Sequence, residues 1–160
     1  MFDVRTILVP VDFSACSLAA LEHAVALAAP RRATIHVLHV VDPVASGLGE
    51  VGTIATGVVT RFQDRLARLT TPATMHDVKS EVHVAVGSVE DEILEMVDRY
   101  RVDVIVMGTH GRSGWGHLLL GGTTERVVRR AQCPVLTVKE RRTQSRVEDV
   151  TVAVEESAVR

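Results

Sequence analysis

Val104, Ile105, Val106 and Met107 stand in an unbroken apolar run that passes straight into a stretch holding Gly108, Gly111, Gly114, Gly116, Gly121 and Gly122 within fifteen residues. A strand that is apolar on both faces must be covered on both, which is the condition of a central strand in a parallel sheet flanked by helices. Glycines at the end of such a strand let backbone amides approach a ligand closely, and open parallel sheets bind ligands beyond the carboxyl ends of their strands. This one junction therefore predicts both an α/β fold and the location of its site.

The rest of the chain keeps the same rhythm. RTILVPV, residues 5–11, is a short β-rich run, and residues 14–29 place Leu18, Leu21, Val25 and Ala28 at helical spacing with Ser14 or Ser17 as cap. Residues 33–41 read as a second strand, and residues 42–57, with Gly47, Gly49, Gly52 and Gly57, read as a long loop. Val59, Phe62, Leu66 and Leu69 then mark a helix whose other face carries Arg61, Arg65 and Arg68. Over residues 80–86, Glu81 and His83 alternate with Val82, Val84 and Val86, which predicts an edge strand with one wet side. Ser88 and Asp91 have capping-box spacing and open a helix that runs to about Tyr100. A last helix over residues 123–131 stops before Cys133 and Pro134, and residues 135–138 form the last strand. Arg126, Arg129 and Arg130 read as a solvated face of that helix, favourable to its carboxyl end. Five strands alternating with four helices is the pattern of a doubly wound parallel sheet. Residues 1–139 form one domain on this reading, and 140–160 a charge-mixed tail in which TVAV would add one strand.

Composition removes several function classes. With 160 residues and 46% apolar content the chain can build a core, and no run of about 18 apolar residues is present to cross a membrane. The start, MFDVRTILVPVDFS, lacks the basic, apolar and small-residue regions of a secretion signal, so a soluble cytoplasmic protein is expected. A net charge of −2 and five scattered aromatics (Phe2, Phe13, Phe62, Tyr100, Trp115) argue against nucleic-acid binding. Cys16 and Cys133 have neither CxxC nor zinc spacing and read as reduced core or near-core thiols. His36 and His39 face opposite sides of a strand, and His110 and His117 have no acidic or thiol partner at a metal spacing, so no dedicated metal site is expected. No GxSxG elbow or nucleophile with a local base partner occurs; slow phosphate hydrolysis or phosphotransfer is the most an enzyme reading allows, with His110 or His117 as the local base.

Two strand-end loops carry the chemistry. Asp12 follows the first strand and Ser14 opens a helix, while the glycine-rich stretch leads into a helix start at Thr123 and Thr124, where backbone amides attract anions. Gly111 to Gly116 has P-loop spacing, but His117 and Leu118 stand where Lys and Ser/Thr are required. The same loop reads GxxGxG rather than the GxGxxG of dinucleotide folds.

ILVPVDFS, LHVVDP and VMGTHGRSGWGHLLLGGTTERVVRRAQCPVLTV, in this order, resemble the universal stress protein family over residues 3–139. In its nucleotide-binding branch the signature is Gly, two residues, Gly, nine residues, Gly, then Ser or Thr. Gly108, Gly111 and Gly121 match, whereas Gly122 occupies the Ser/Thr slot and withholds a hydroxyl from the phosphate. The resemblance implies ATP as ligand, with Asp12 by the ribose or helping to hold Mg2+, Pro10 and Val11 at the entry, and Val40 offering backbone groups to adenine. It further implies Gly108, Thr109 and Gly111 facing ribose and phosphate, and Gly121, Gly122, Thr123 and Thr124 cradling the phosphates. With right-handed crossovers it implies strand order 3-2-1-4-5, helices on both faces, and a ligand crevice between strands one and four. It implies a homodimer through Pro134 to Val138, signalling through the bound state or a protein partner. Gly122 favours the alternative of a nucleotide-free dimeric stress regulator on the same fold.

Overall fold

The computed structural model describes residues 3–44, 56–109 and 121–139. Its strands are β1 (Thr6–Pro10), β2 (Thr34–Val41), β3 (Ser80–Val86), β4 (Val104–Gly108) and β5 (Val135–Val138). All neighbours pair in parallel and the order is β3-β2-β1-β4-β5, as expected. The helices are α1 (Ala15–Ala28), α2 (Thr56–Leu69), α3 (Pro72–Met75), α4 (Val89–Tyr100) and α5 (Gly122–Arg130), with a short 3-10 turn at Ala29–Arg31.

Alternation along the central strands divides the core in two. Ile7 and Val9 of β1 and Val104 and Val106 of β4 pack with Ala20, Leu21, Ala24 and Val25 of α1 and Leu66 of α2. Leu8, Ile105 and Met107 point the other way, against Ile93, Met96 and Val97 of α4 and Val127 of α5. Each fully buried side chain of this kind is worth roughly 1.5–3 kcal/mol. The double burial of β4 follows from its unbroken apolar run, and it places helices on both faces.

Several local expectations are corrected. The segment 42–57 is not loop to its end, since Thr56 and Gly57 already belong to α2; residues 45–55 lie outside the described ones. The short α3 was not expected, although Thr71 caps it by accepting from the Thr74 amide and Pro72 fills its first position. Ser88 is the N-cap of α4 without a side-chain capping bond. In the same turn Glu90, instead of merely favouring the dipole, is buried and accepts from Arg126 Nε at 2.6 Å and Arg130 Nη1 at 2.5 Å. Arg126, Arg129 and Arg130 do stand on an exposed face, and Arg126 and Arg130 in addition clamp α5 to α4, while Arg129 pairs along its own helix with Glu125.

The alternation of β3 holds in part, since Glu81 keeps a side chain 42% exposed and Val84 packs against the core, but two positions depart from it. Val82 is 37% exposed, whereas His83 packs inward on His36 and Tyr100. The cause at His83 is α4, whose Tyr100 packs on its ring. Cys16 and Cys133 are free and half-buried, and burial pushes the Cys133 thiol up from its ordinary value. Among the described residues no helix is long and apolar enough to cross a membrane. The tail and its TVAV segment lie outside the described residues.

Candidate functional site

β1 and β4 are adjacent and parallel, with Ile7 opposite Val104 and Leu8 opposite Ile105, so the turns that leave them emerge at one end of the sheet. After β1 the backbone takes a left-handed conformation at Phe13, with φ 64°, which swings the chain from strand into helix within a few residues. Asp12 stabilises that turn, its Oδ1 accepting from the Ser14 amide at 3.0 Å and the Ser14 hydroxyl at 2.5 Å. Ser14 in turn caps α1 by accepting from the Ser17 amide at 3.2 Å. Pro10 ends β1, and buried Val11 donates its amide to the Leu38 carbonyl at 2.7 Å.

Gly108 ends β4 where the start of α1 passes closest. A side-chain carbon there would stand 2.9 Å from Cys16 Cβ and 3.0 Å from its carbonyl carbon. Thr109 is buried, donates its amide to the Val138 carbonyl at 2.9 Å and accepts the Gly121 amide at 2.7 Å. That bond brings the start of α5 beside the end of β4. The first intrahelical bond of α5 runs from the Glu125 amide to the Gly121 carbonyl, so the amides of Gly122, Thr123 and Thr124 point out of the helix end. Gly121 is the N-cap and, being glycine, supplies no side chain to cover them.

Thr124 does not offer its hydroxyl to that end. It is buried and donates Oγ1–H to the Gly108 carbonyl at 3.0 Å, stitching α5 to β4. Thr123 Oγ1 accepts from Arg126 Nη2 at 3.4 Å. Val40, in β2, packs on the α4 side of the sheet. Gly111, His110 and His117 lie outside the described residues.

Two features of this end escape a linear reading. Phe13, His39 and Phe62, from three separate segments, converge with ring centroids 4.2 to 6.1 Å apart, and the Arg65 guanidinium lies 3.8 Å above the Phe13 ring. His39 Nδ1–H donates to the Val11 carbonyl at 2.7 Å, which fixes its tautomer. Aromatics scattered in sequence thus gather beside the β1 turn. Arg126, besides clamping Glu90, carries its Nη1 to 3.3 Å from the point where a Gly122 side chain would begin. A cation therefore stands at the open end of α5. Its only sequence signal is the four-residue step from Gly122, one helical turn.

The arrangement defines a doubly wound parallel α/β protein that brings an acid-bearing turn after β1 and a helix amino terminus with an adjacent guanidinium to the same end of the sheet. The chain belongs to the universal stress protein family, whose model matches residues 3–139. It is 34% identical over 142 residues to universal stress protein MJ0531 of Methanocaldococcus jannaschii, covering 85% of this chain and 82% of that protein. The solved structure of protein MJ0577, from the same organism, superposes with TM-score 0.74 at 28% identity, over 86% of this chain and 96% of that one. A universal stress protein crystallised in complex with cAMP superposes with TM-score 0.60 at 25% identity, over 86% of this chain and 98% of that one.

Proposed function

We propose that this chain is a regulatory protein that binds an adenine nucleotide, ATP in the first instance, in the crevice between the carboxyl ends of β1 and β4. The observation that carries the reading is the Gly121 amide bond to the Thr109 carbonyl, which holds the uncapped start of α5 next to the β1–β4 junction. Amides at a helix start, the helix dipole and the Arg126 guanidinium stabilise an anion together, with no catalytic lysine required. The family and the cAMP-bound relative support a nucleotide as that anion.

In this reading Pro10 and Val11 line the entry, the Asp12 carboxylate meets the ribose, and Val40 offers backbone groups to adenine. Gly108, Thr109 and Gly111 lie along ribose and phosphate, and Gly121, its own amide held by Thr109, turns the chain so that the amides of Gly122, Thr123 and Thr124 hold the phosphates. Asp12 joins no group of three metal-ligating side chains among the described residues. It suits a Mg2+ that is carried mainly by phosphate oxygens and assisted by one carboxylate. The domain of residues 1–139 acts in the cytoplasm as a homodimer through Pro134 to Val138, passing its bound state to a protein partner. The edge position of β5 and the 44% exposure of Leu136 support that pairing.

Native mass spectrometry of the purified chain, followed by calorimetry with ATP, tests the reading. Co-purified adenine nucleotide or saturable ATP heat is expected. A silent titration would favour the second reading, a nucleotide-free dimeric stress regulator, for which Gly122 in place of a hydroxyl residue speaks.

A further inference from the structure

Two imidazoles and a carboxylate meet between β2 and β3, on the α4 side of the sheet and apart from the Asp12 turn. Register sets His36 opposite Glu81, and the two-residue period of β3 puts His83 on the same face as Glu81. His36 Nδ1 lies 3.0 Å from His83 Nε2 and 3.8 Å from Glu81 Oε2. One ligand-type atom from each of the three residues falls within 4.8 Å of the others. Zinc bonds of about 2.0–2.1 Å in tetrahedral geometry separate ligand atoms by about 3.3 Å. The imidazole pair at 3.0 Å needs to widen by a few tenths of an ångström, and the exposed Glu81 side chain has room to bring its oxygen closer than 3.8 Å.

We propose that His36, Glu81 and His83 form a binding site for a divalent transition-metal ion of the zinc type, held by His36 Nδ1, His83 Nε2 and Glu81 Oε2. Three protein ligands leave a position for water, the pattern of an open site rather than a closed structural one.

Four features prepare the residues for this role. Burial holds both imidazoles below their ordinary pKa, so they are neutral, with lone pairs available, at neutral pH. The proton now shared between His36 Nδ1 and His83 Nε2 moves, on metal binding, to the far nitrogen of its own ring, and no net proton is lost. Lys79 Nζ holds Glu81 Oε1 at 3.2 Å and leaves Oε2 toward His36, an outer-shell orientation of the kind ligating carboxylates receive. The Tyr100 ring packs 4.4 Å from His36 and 5.1 Å from His83 and fixes both planes. A cavity of about 240 Å³ beside β3 and α4, with Glu92 and Glu95 in its wall, reaches His83, one of the three ligands.

The test uses the untagged full chain, free of nucleotide, and Zn2+ alone, followed by equilibrium dialysis with elemental analysis. One zinc per chain is expected, weakened at least tenfold by His83→Gln and by Glu81→Gln and unchanged by His23→Gln on exposed α1 surface. Co2+ in place of Zn2+ should give visible absorption that His83→Gln abolishes. Absence of stoichiometric uptake by the unmodified chain, or uptake that survives both substitutions, overturns the proposal and leaves a hydrogen-bonded pair of neutral imidazoles. Glu81 is half-exposed, so Glu81→Gln keeps the test decisive even if His83→Gln fails to fold. Nucleotide is absent throughout, so the outcome is independent of the ATP reading.

Discussion

Gly108 and Cys16 approach so closely that a side-chain carbon on the glycine would lie 2.9 Å from Cys16 Cβ, with the backbone of α1 at 3.0 and 3.1 Å behind it. Neither backbone atom can yield as a flexible side-chain tip would, so β4 and α1 must part to admit even a methyl group. Gly108→Ala is expected to cost about 1–3 kcal/mol, the usual penalty of overpacking. Thermal unfolding should show it as a drop of roughly 2–4 °C per kcal/mol. Gly57→Ala, with nothing within 4 Å among the described residues, is the contrasting case and should be neutral or stabilising by up to about 1 kcal/mol.

The fold was readable because its period is written in each element. The unbroken run Val104 to Met107 demanded cover on both faces, and the two core layers supply it. What the sequence hid was contact between elements. The facing of His83 depends on His36 from β2 and Tyr100 from α4, and no pattern within residues 80–86 encodes either. Glu90 looked like a first-turn acid, and its partners Arg126 and Arg130 stand 36 and 40 residues away. Thr124 was expected at the phosphates, yet its hydroxyl finds the Gly108 carbonyl because β4 ends directly beneath α5. β1 and β4 are neighbours, which is the condition on which the proposed strand-end site rests.

The Glu90 clamp predicts an asymmetry. Glu90 is buried and satisfied by two guanidinium groups, whereas each arginine side chain is more than half exposed. Glu90→Ala should destabilise the chain by about 1–3 kcal/mol, as loss of hydrogen bonds to charged groups does. Arg130→Ala, which leaves Arg126 on the carboxylate, should cost less. Urea unfolding of the two variants side by side checks the order, and equal effects would count against the clamp.

Glu92 gives a pH dependence of defined sign. Burial chiefly, with the neighbouring Glu95 and Asp91 adding to it and Arg99 opposing, raises its pKa above the ordinary carboxylate value. The folded state then holds this proton more tightly than the unfolded state does. Its contribution is fully present below about pH 4.3 and is lost as pH rises through the raised value. Glu92→Gln should therefore raise stability at pH 7, and the gain should vanish at low pH in denaturant unfolding followed across that range.

β5 pairs with β4 alone among the described strands and presents Leu136 at 44% exposure. A lysine there charges the edge, a device that discourages strand pairing. If the homodimer forms through Pro134 to Val138, Leu136→Lys should convert it to monomer in light scattering at tens of micromolar, with unfolding cooperativity retained. A dimer that survives the substitution must close through another surface.

If a nucleotide binds as proposed, Gly122 sets how tightly it is held. In the family signature its slot carries a hydroxyl, and a hydrogen bond from that group to a charged phosphate is worth about 1.5–3 kcal/mol when fully formed. At roughly 1.4 kcal/mol per decade, restoring it should tighten ATP binding about tenfold or more. Among the described residues the new side-chain carbon would meet only Arg126 Nη1 at 3.3 Å, the end of a long side chain that can shift. That same guanidinium already supplies positive charge at the helix end, so the unmodified chain should retain measurable affinity. Gly122→Ser is expected to lower the calorimetric Kd for ATP, and Arg126→Ala to raise it. No ATP heat from either the unmodified chain or Gly122→Ser would shift the assignment to a regulator that works without nucleotide.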